Sequence, residues 1–234
     1  MKKYVTGLLF SMALVSHSAT VTWIGVEGNW LEGRNWDTGA APAAGDDVIL
    51  SKDVMVTVPN GARVQVGSVT ISKGTLRVDT SANLTVNKNL TQTGGMVEVR
   101  TGKGNILIKG DYIAQRGIGR AIQGNKDSIT VEGNLTASAG YRFDFNMNGS
   151  TDISRFVVKG VLTLDGELSA RNFAPAGNKI LLIRNTGSSP SAGVFKNIKL
   201  NTTVVNIGGK KYIYSLIDFD GDSVKNDIAL VAAE

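Results

Sequence analysis

The sequence contains no cysteine and a single histidine, His17. Without thiols, disulfide staples, Cys–His nucleophiles and thiolate metal sites are all excluded. Proline is scarce, at 4 of 234 residues, and aromatic residues make up only 6%. Outside the first twenty residues no segment carries an apolar period of three to four residues, so almost no helix is expected. The charge excess is also small, +5 for the whole chain.

The first residues combine a positive start, Met1-Lys-Lys3, with an apolar run from Tyr4 to Val15 and small residues at Ser16, Ser18 and Ala19. That layout is a secretory signal, and the run is shorter than the roughly 20 residues a membrane-spanning helix needs. The expectation is a leader over 1–19, cleaved after Ser18 or Ala19, and a secreted or cell-surface protein whose mature chain has no transmembrane segment. His17 leaves with the leader, which excludes Ser–His hydrolysis and His-ligated zinc. Lys2 and Lys3 leave too, lowering the net charge to +3 and removing most of the compositional support for a nucleic-acid partner.

What is present is glycine, 28 residues, and a repeat. Leu84-Thr-Val86, Ile106-Leu-Ile108, Ile129-Thr-Val131 and Phe156-Val-Val158 are each followed four positions later by Leu90, Tyr112, Leu135 or Leu162. Val64-Gln-Val66 is a degenerate earlier copy. The markers Val66, Val86, Ile108, Val131 and Val158 are spaced by 20, 22, 23 and 27 residues. A second alternating strand follows most copies: Gly74 to Val78, Gly95 to Val99, Gly140 to Phe145 and Gly166 to Ala170. Short strands and glycine turns recurring at this period mark a solenoid. The markers are expected to stack inward as one column, with Leu90, Tyr112, Leu135 and Leu162 as another. The third copy shows no second strand. Gln115 to Lys126, with Gly117, Gly119 and Gly124 and the bases Arg116, Arg120 and Lys126, reads as a solvated loop bulging from the coil, or as a partner contact.

All three tryptophans, Trp23, Trp30 and Trp36, fall beside glycines between Thr20 and Leu50, where no repeat-like strand is evident. They are expected to be buried in a cap over the open end of the stack, the alternative being a sugar platform. The pattern Trp23-x-Gly25…Gly28-x-Trp30…Asn35-Trp36-x-x-Gly39-x-x-Pro42-x-x-Gly45-Asp46-x-Val48 resembles the opening of secreted bacterial β-helix proteins of the autotransporter passenger kind, those with autotransporter-associated β-strand repeats. The closing residues Gly193-Val-Phe195, Tyr212-Ile-Tyr214 and Gly221…Asn226-Asp227-Ile228-Ala-Leu230 are similar to that family's last strands. The segment between Gly221 and Asn226 is longer than the family's, and after Val231 to Glu234 no translocator barrel is expected. The fold expected is therefore all-β, a single-stranded parallel β-helix (β-solenoid). Its parts are a Trp-rich cap over 20–53, coils over 54–183 and a C-terminal β cap over 184–234.

Three sets of residues invite a chemical reading. Asp218, Asp220, Asp222 and Asp227 surround Gly221 and could converge on Ca²⁺, although the run fails the EF-hand spacing; the alternative is an acidic turn. Paired acids of polysaccharide-processing type would be Asp144 with Asp152, or Asp165 with Glu167, but no column of acids stacked beside arginine or lysine is evident. Asn83, Asn89, Asn134, Asn148 and Asn201 head acceptor-like triplets, and in this repeat they read as turn residues bonding the backbone. The functional expectation is a secreted, non-catalytic structural or adhesive module. Its partners would be itself, as a surface matrix or filament, or an extracellular glycan or surface, with no cofactor beyond that Ca²⁺. The alternative is a carbohydrate-binding or polysaccharide-processing β-helix.

Overall fold

The computed structural model describes residues 18–100, 103–122, 128–146, 155–171, 178–219 and 221–233. Among them, parallel strands wind into a β-solenoid of about six turns.

The coils have three flanks. The first carries β1 (Thr20–Thr22), β3 (Asp47–Leu50), β6 (Ser68–Ile71), β9 (Leu90–Gln92), the starts of β12 (Tyr112–Ile122) and β14 (Leu135–Asn146), β16 (Leu162–Leu164) and β19 (Ala192–Gly193). The second carries β2 (Gly28–Asn29), β4 (Met55–Val58), β7 (Thr75–Val78), β10 (Met96–Val99), the later parts of β12 and β14, and β17 (Glu167–Arg171). The third carries β5 (Arg63–Val66), β8 (Asn83–Val86), β11 (Asn105–Ile108), β13 (Ser128–Val131), β15 (Arg155–Val158) and β18 (Lys179–Asn185). Three antiparallel strands, β20 (Val204–Ile207), β21 (Lys210–Ile217) and β22 (Asp227–Ala232), extend the third flank beyond β18.

The expected columns exist. Val66, Val86, Ile108, Val131 and Val158 pair in unbroken register, and each is fully buried. Val69, Leu90, Tyr112, Leu135 and Leu162 do the same on the first flank. Burial of each such aliphatic side chain is worth about 1.5–3 kcal/mol. Strict alternation of inward and outward residues along four-residue strands is what lets one column face the core throughout. The third-flank column ends in Asn185, in register with Val158 and also fully buried. There the parallel stack gives way to antiparallel pairing with β22.

The Trp block contributes strands of its own, against the expectation of none: β1 pairs in parallel with β3, and β2 with β4. Trp23 and Trp30 each meet Trp36 edge-on at 4.9 Å, and all three rings are buried. Indole Nε1 of Trp36 donates to the Trp30 carbonyl at 2.7 Å and that of Trp23 to the Val26 carbonyl at 3.1 Å.

The loop expected at Gln115 to Lys126 is corrected. Residues up to Ile122 continue β12 and pair with β10 through Ile118, Gly119 and Arg120; 123–127 lie outside the described residues. The strand lacks an alternating apolar signature because Tyr141, from the next coil, occupies its inward space. A Cβ on Gly119 would collide with the Tyr141 hydroxyl and come within 2.8 Å of the Phe156 ring. Tyr112 and Tyr141 share a hydroxyl contact of 3.1 Å, and Tyr112 donates to Gln92 at 2.5 Å. Gln92 in turn donates to the carbonyls of Gly95 and Ile118. The buried amide and both hydroxyls are thereby hydrogen-bonded, as an interior polar cluster requires. Burial pushes both tyrosine hydroxyls well above their usual ionisation range; the contact with Tyr141 offsets part of this at Tyr112, and the contact with Tyr112 adds to it at Tyr141.

Candidate functional site: a flank of paired charges

The second flank presents one outward column whose register runs Thr57, Arg77, Glu98, Arg120, Asp144 and Ser169. In a parallel in-register stack like residues face like, so a column of one charge would repel itself. Here the signs alternate. Arg77 Nε reaches Glu98 at 2.8 Å, and Arg120 Nη1 reaches its other oxygen at 3.4 Å. Arg120 Nε bonds Asp144 Oδ2 at 2.9 Å, and Arg171 Nη2 reaches the same oxygen at 3.2 Å. Both carboxylates are hidden between guanidinium groups, Glu98 at 3% exposure and Asp144 at 0%. Asp144 Oδ1 makes no hydrogen bond. A parallel column of Met55, Thr75, Met96, Ile118, Arg142 and Glu167 lines the same flank.

This array corrects the expectation that no acids stack beside arginines. Reading Arg120 as part of a loop breaks the column in the middle, whereas it stands on β12 in register with Glu98 and Asp144. The signal is nonetheless present in the sequence, because Arg77, Glu98, Arg120 and Asp144 are spaced by 21, 22 and 24 residues, within a residue of the 20, 22 and 23 between the first four inward markers. Chemically, the array holds five charges over consecutive coils in charge-assisted bonds, the strong kind when desolvated. Three of its four carboxylate oxygens, both of Glu98 and Oδ2 of Asp144, are bonded to arginines.

Of the other expected site residues, Asp152 lies outside the described residues, and its expected partner Asp144 is tied into the column. Asp165 is exposed, and Glu167 stands in register with Arg142. Of the four aspartates expected around calcium, Asp220 is outside the described residues. Asp218 accepts the Gly221 and Ser223 amides at 2.7 and 3.1 Å, and Asp222 accepts that of Val224 at 2.8 Å. Asp227 is fully buried and accepts the amides of Asn185 and Phe219, both at 2.8 Å. Among the described residues no group of three or more acids or histidines is placed to hold a metal ion.

The asparagine turns form a ladder. Asn89 Oδ1 accepts the Asp111 amide at 2.9 Å, Asp111 accepts that of Asn134 at 2.8 Å, and Asn134 that of Val161 at 2.8 Å. Each turn side chain thus bonds the equivalent residue one coil on, the backbone-bonding role expected of Asn89 and Asn134. The neighbouring Gly160 cannot be replaced without conflict, because a Cβ would sit 2.5 Å from the Gly133 carbonyl and 2.7 Å from Asn134 Oδ1.

At the far end of the stack the open edge of β17 is met by side chains. Asn197 accepts the Leu168 amide at 2.9 Å and donates to its carbonyl at 2.8 Å, imitating a further strand. Burial raises the Tyr214 hydroxyl above its usual ionisation range, offset in part by a hydrogen bond with the Ala170 backbone. Beside this closure lies a pocket of about 390 Å³ lined by apolar residues including Val194, Phe195, Ile198, Leu200 and Leu216, with Lys199 among them. No protein family, curated protein or solved structure matches the chain.

Proposed function

We propose that this chain is a secreted, non-catalytic β-solenoid that serves as a structural or adhesive module outside the cell. The observation that carries the reading is the second flank, where the outward carboxylates are spent on binding one coil to the next. Burial of Trp23, Trp30 and Trp36 supports it further, since rings inside the first coil offer no stacking face to a sugar. The leader-like start and the resemblance of both ends to passenger-like β-helix proteins point the same way. A rigid rod with continuous columns is suited to display and mechanical work rather than to turnover, and fold alone confers no chemistry.

The test is to incubate the purified protein with neutral and uronate-containing polysaccharides, following both chain length and retention. Retention on insoluble glycan or on cell surfaces with no shortening of any chain is expected; a drop in polysaccharide length sinks the reading. A glycan-binding version of the same module draws on the strip of Met55, Met96 and Ile118 beside Arg77 and Arg120. In that case retention falls when Arg77 or Met96 is replaced by alanine.

A further inference from the structure

The third flank differs from the other two in charge. Its six parallel strands, β5, β8, β11, β13, β15 and β18, hold four bases, Arg63, Arg155, Lys179 and Arg184, and no acid. The turns leaving them hold Lys88, Lys109 and Lys159 against Asp111 and Glu132. Lys88 is paired with Asp47 at 3.1 Å and Lys159 with Glu132 at 2.7 Å, while Asp111 accepts the Asn134 amide. The turns entering the strands add Asp79, Arg100 and Lys103; Lys126, Asp127 and Asp152 lie outside the described residues. Ten bases and five acids thus belong to this flank and its turns, which leaves 15 of each for the rest of the chain. The whole positive excess sits here. Arg63 and Arg155 share an outward column with Asn83 and Asn105 between them. The neighbouring column runs Gln65, Thr85, Leu107, Thr130, Val157 and Arg184. Arg63, Lys109 and Arg155 form no salt bridge among the described residues.

On the reading of the chain as an adhesive module, which this site presupposes, we propose that the third flank binds an acidic polysaccharide. The ligand is a glycan chain bearing carboxylate or sulfate groups, laid along the stack of coils. Arg63 and Arg155 meet its anions with paired N–H donors, a geometry that both carboxylate and sulfate accept, and Lys109 meets them as a point charge. Asn83 and Thr85, between the bases, offer donors and acceptors to sugar hydroxyls. Lys109 and Lys159 follow strands two steps apart, about 10 Å at the spacing of paired strands. A glycan with one anion on each disaccharide repeats its charge on that scale, whereas the phosphates of a nucleic acid are more crowded. A single strand of nucleic acid also stacks its bases on aromatic rings, and neither outward column carries one.

Two triple variants of equal charge test this, each verified to melt like the parent. One carries Arg63→Glu, Lys109→Glu and Arg155→Glu on the flank. The other carries Lys73→Glu, Lys196→Glu and Lys225→Glu at exposed lysines off it. Should the flank triple fail to fold, glutamine replaces glutamate at all six positions. Binding of the purified protein to immobilised polygalacturonate, heparin and dextran is measured over rising salt. The parent is expected to hold polygalacturonate or heparin but not dextran, and to release it as salt screens the contacts. The flank triple is expected to bind about ten-fold more weakly, the sum of three modest exposed contacts, and the control triple to bind as the parent does. Equal weakening in both triples, or binding indifferent to the flank triple, overturns the proposal. So does tighter binding to a poly-thymidylate strand or to phosphatidylserine vesicles than to either acidic glycan. A parent that ignores both acidic glycans yet is retained on dextran or on cell surfaces overturns this site and leaves the adhesive reading standing.

Discussion

Replacing Asp144 by alanine removes the acceptor at the centre of the second-flank column. The carboxylate is fully buried and bonded by Arg120 at 2.9 Å and Arg171 at 3.2 Å. Breaking a fully buried pair costs about 3–5 kcal/mol, because the remaining charge is left without compensation. Here the arginine side chains are 23% and 51% exposed, and Arg120 keeps Glu98 at 3.4 Å. Water and Glu98 therefore recover part of the loss, and removing Oδ1, which has no hydrogen bond, relieves a further fraction. The expected loss is about 2 kcal/mol, a fall of roughly 4–8 °C in Tm for a chain of this size. Calorimetry on the parent and on Asp144→Ala, Arg120→Ala and the double variant reads it directly. The double variant should lose less than the sum of the singles, since the two substitutions delete one shared bond. A Tm for Asp144→Ala within a degree or so of the parent, together with strict additivity, would refute the claim that this column couples the coils.

Gly119→Ala should destabilise by about 1–3 kcal/mol through overpacking against the Tyr141 and Phe156 rings, and adding it to Tyr141→Leu should cost less than it does in the parent, since only the Phe156 ring then stands in the way. A full separate loss in the double variant, by denaturant titration, would show that Tyr141 is not the main obstacle. Because burial raises the Tyr112 and Tyr141 hydroxyls above the unfolded value near 10, their contribution is intact below that pH and falls as pH climbs toward the folded values. In an alkaline titration tyrosinate absorbance from these two should appear only together with loss of the β-sheet circular dichroism signal; ionisation of Tyr112 and Tyr141 in a folded chain contradicts this. Calcium and chelator should leave the melting temperature unchanged, because Asp227 points into the fold and Asp218 is occupied by turn amides. A rise with calcium that Asp222→Asn removes would restore the loop reading.

The inward columns were legible because their side chains are chemically alike. Val66, Val86, Ile108, Val131 and Val158 recur as a pattern that needs no knowledge of the turns between them. The third coil's second strand was not legible, since Gly119 takes its size from Tyr141, a residue 22 positions later whose ring fills the shared space. Losing that strand also hid the charge column, which depends on recognising Arg120 as the equivalent of Glu98. Asp227 misled for the opposite reason. Its closeness in sequence to Asp218 and Asp222 suggested a shared ligand, whereas the pairing of β22 with β18 sets it against the Asn185 amide.

Parallel, in-register stacking shapes how this molecule can meet others as well as how it coheres. Each coil repeats the direction of the last, so no two-fold axis relates the two ends of the rod, and each end keeps its own chemistry. At β17 the Asn197 side chain occupies both the amide and the carbonyl of Leu168, backbone groups that would otherwise be open to strand addition.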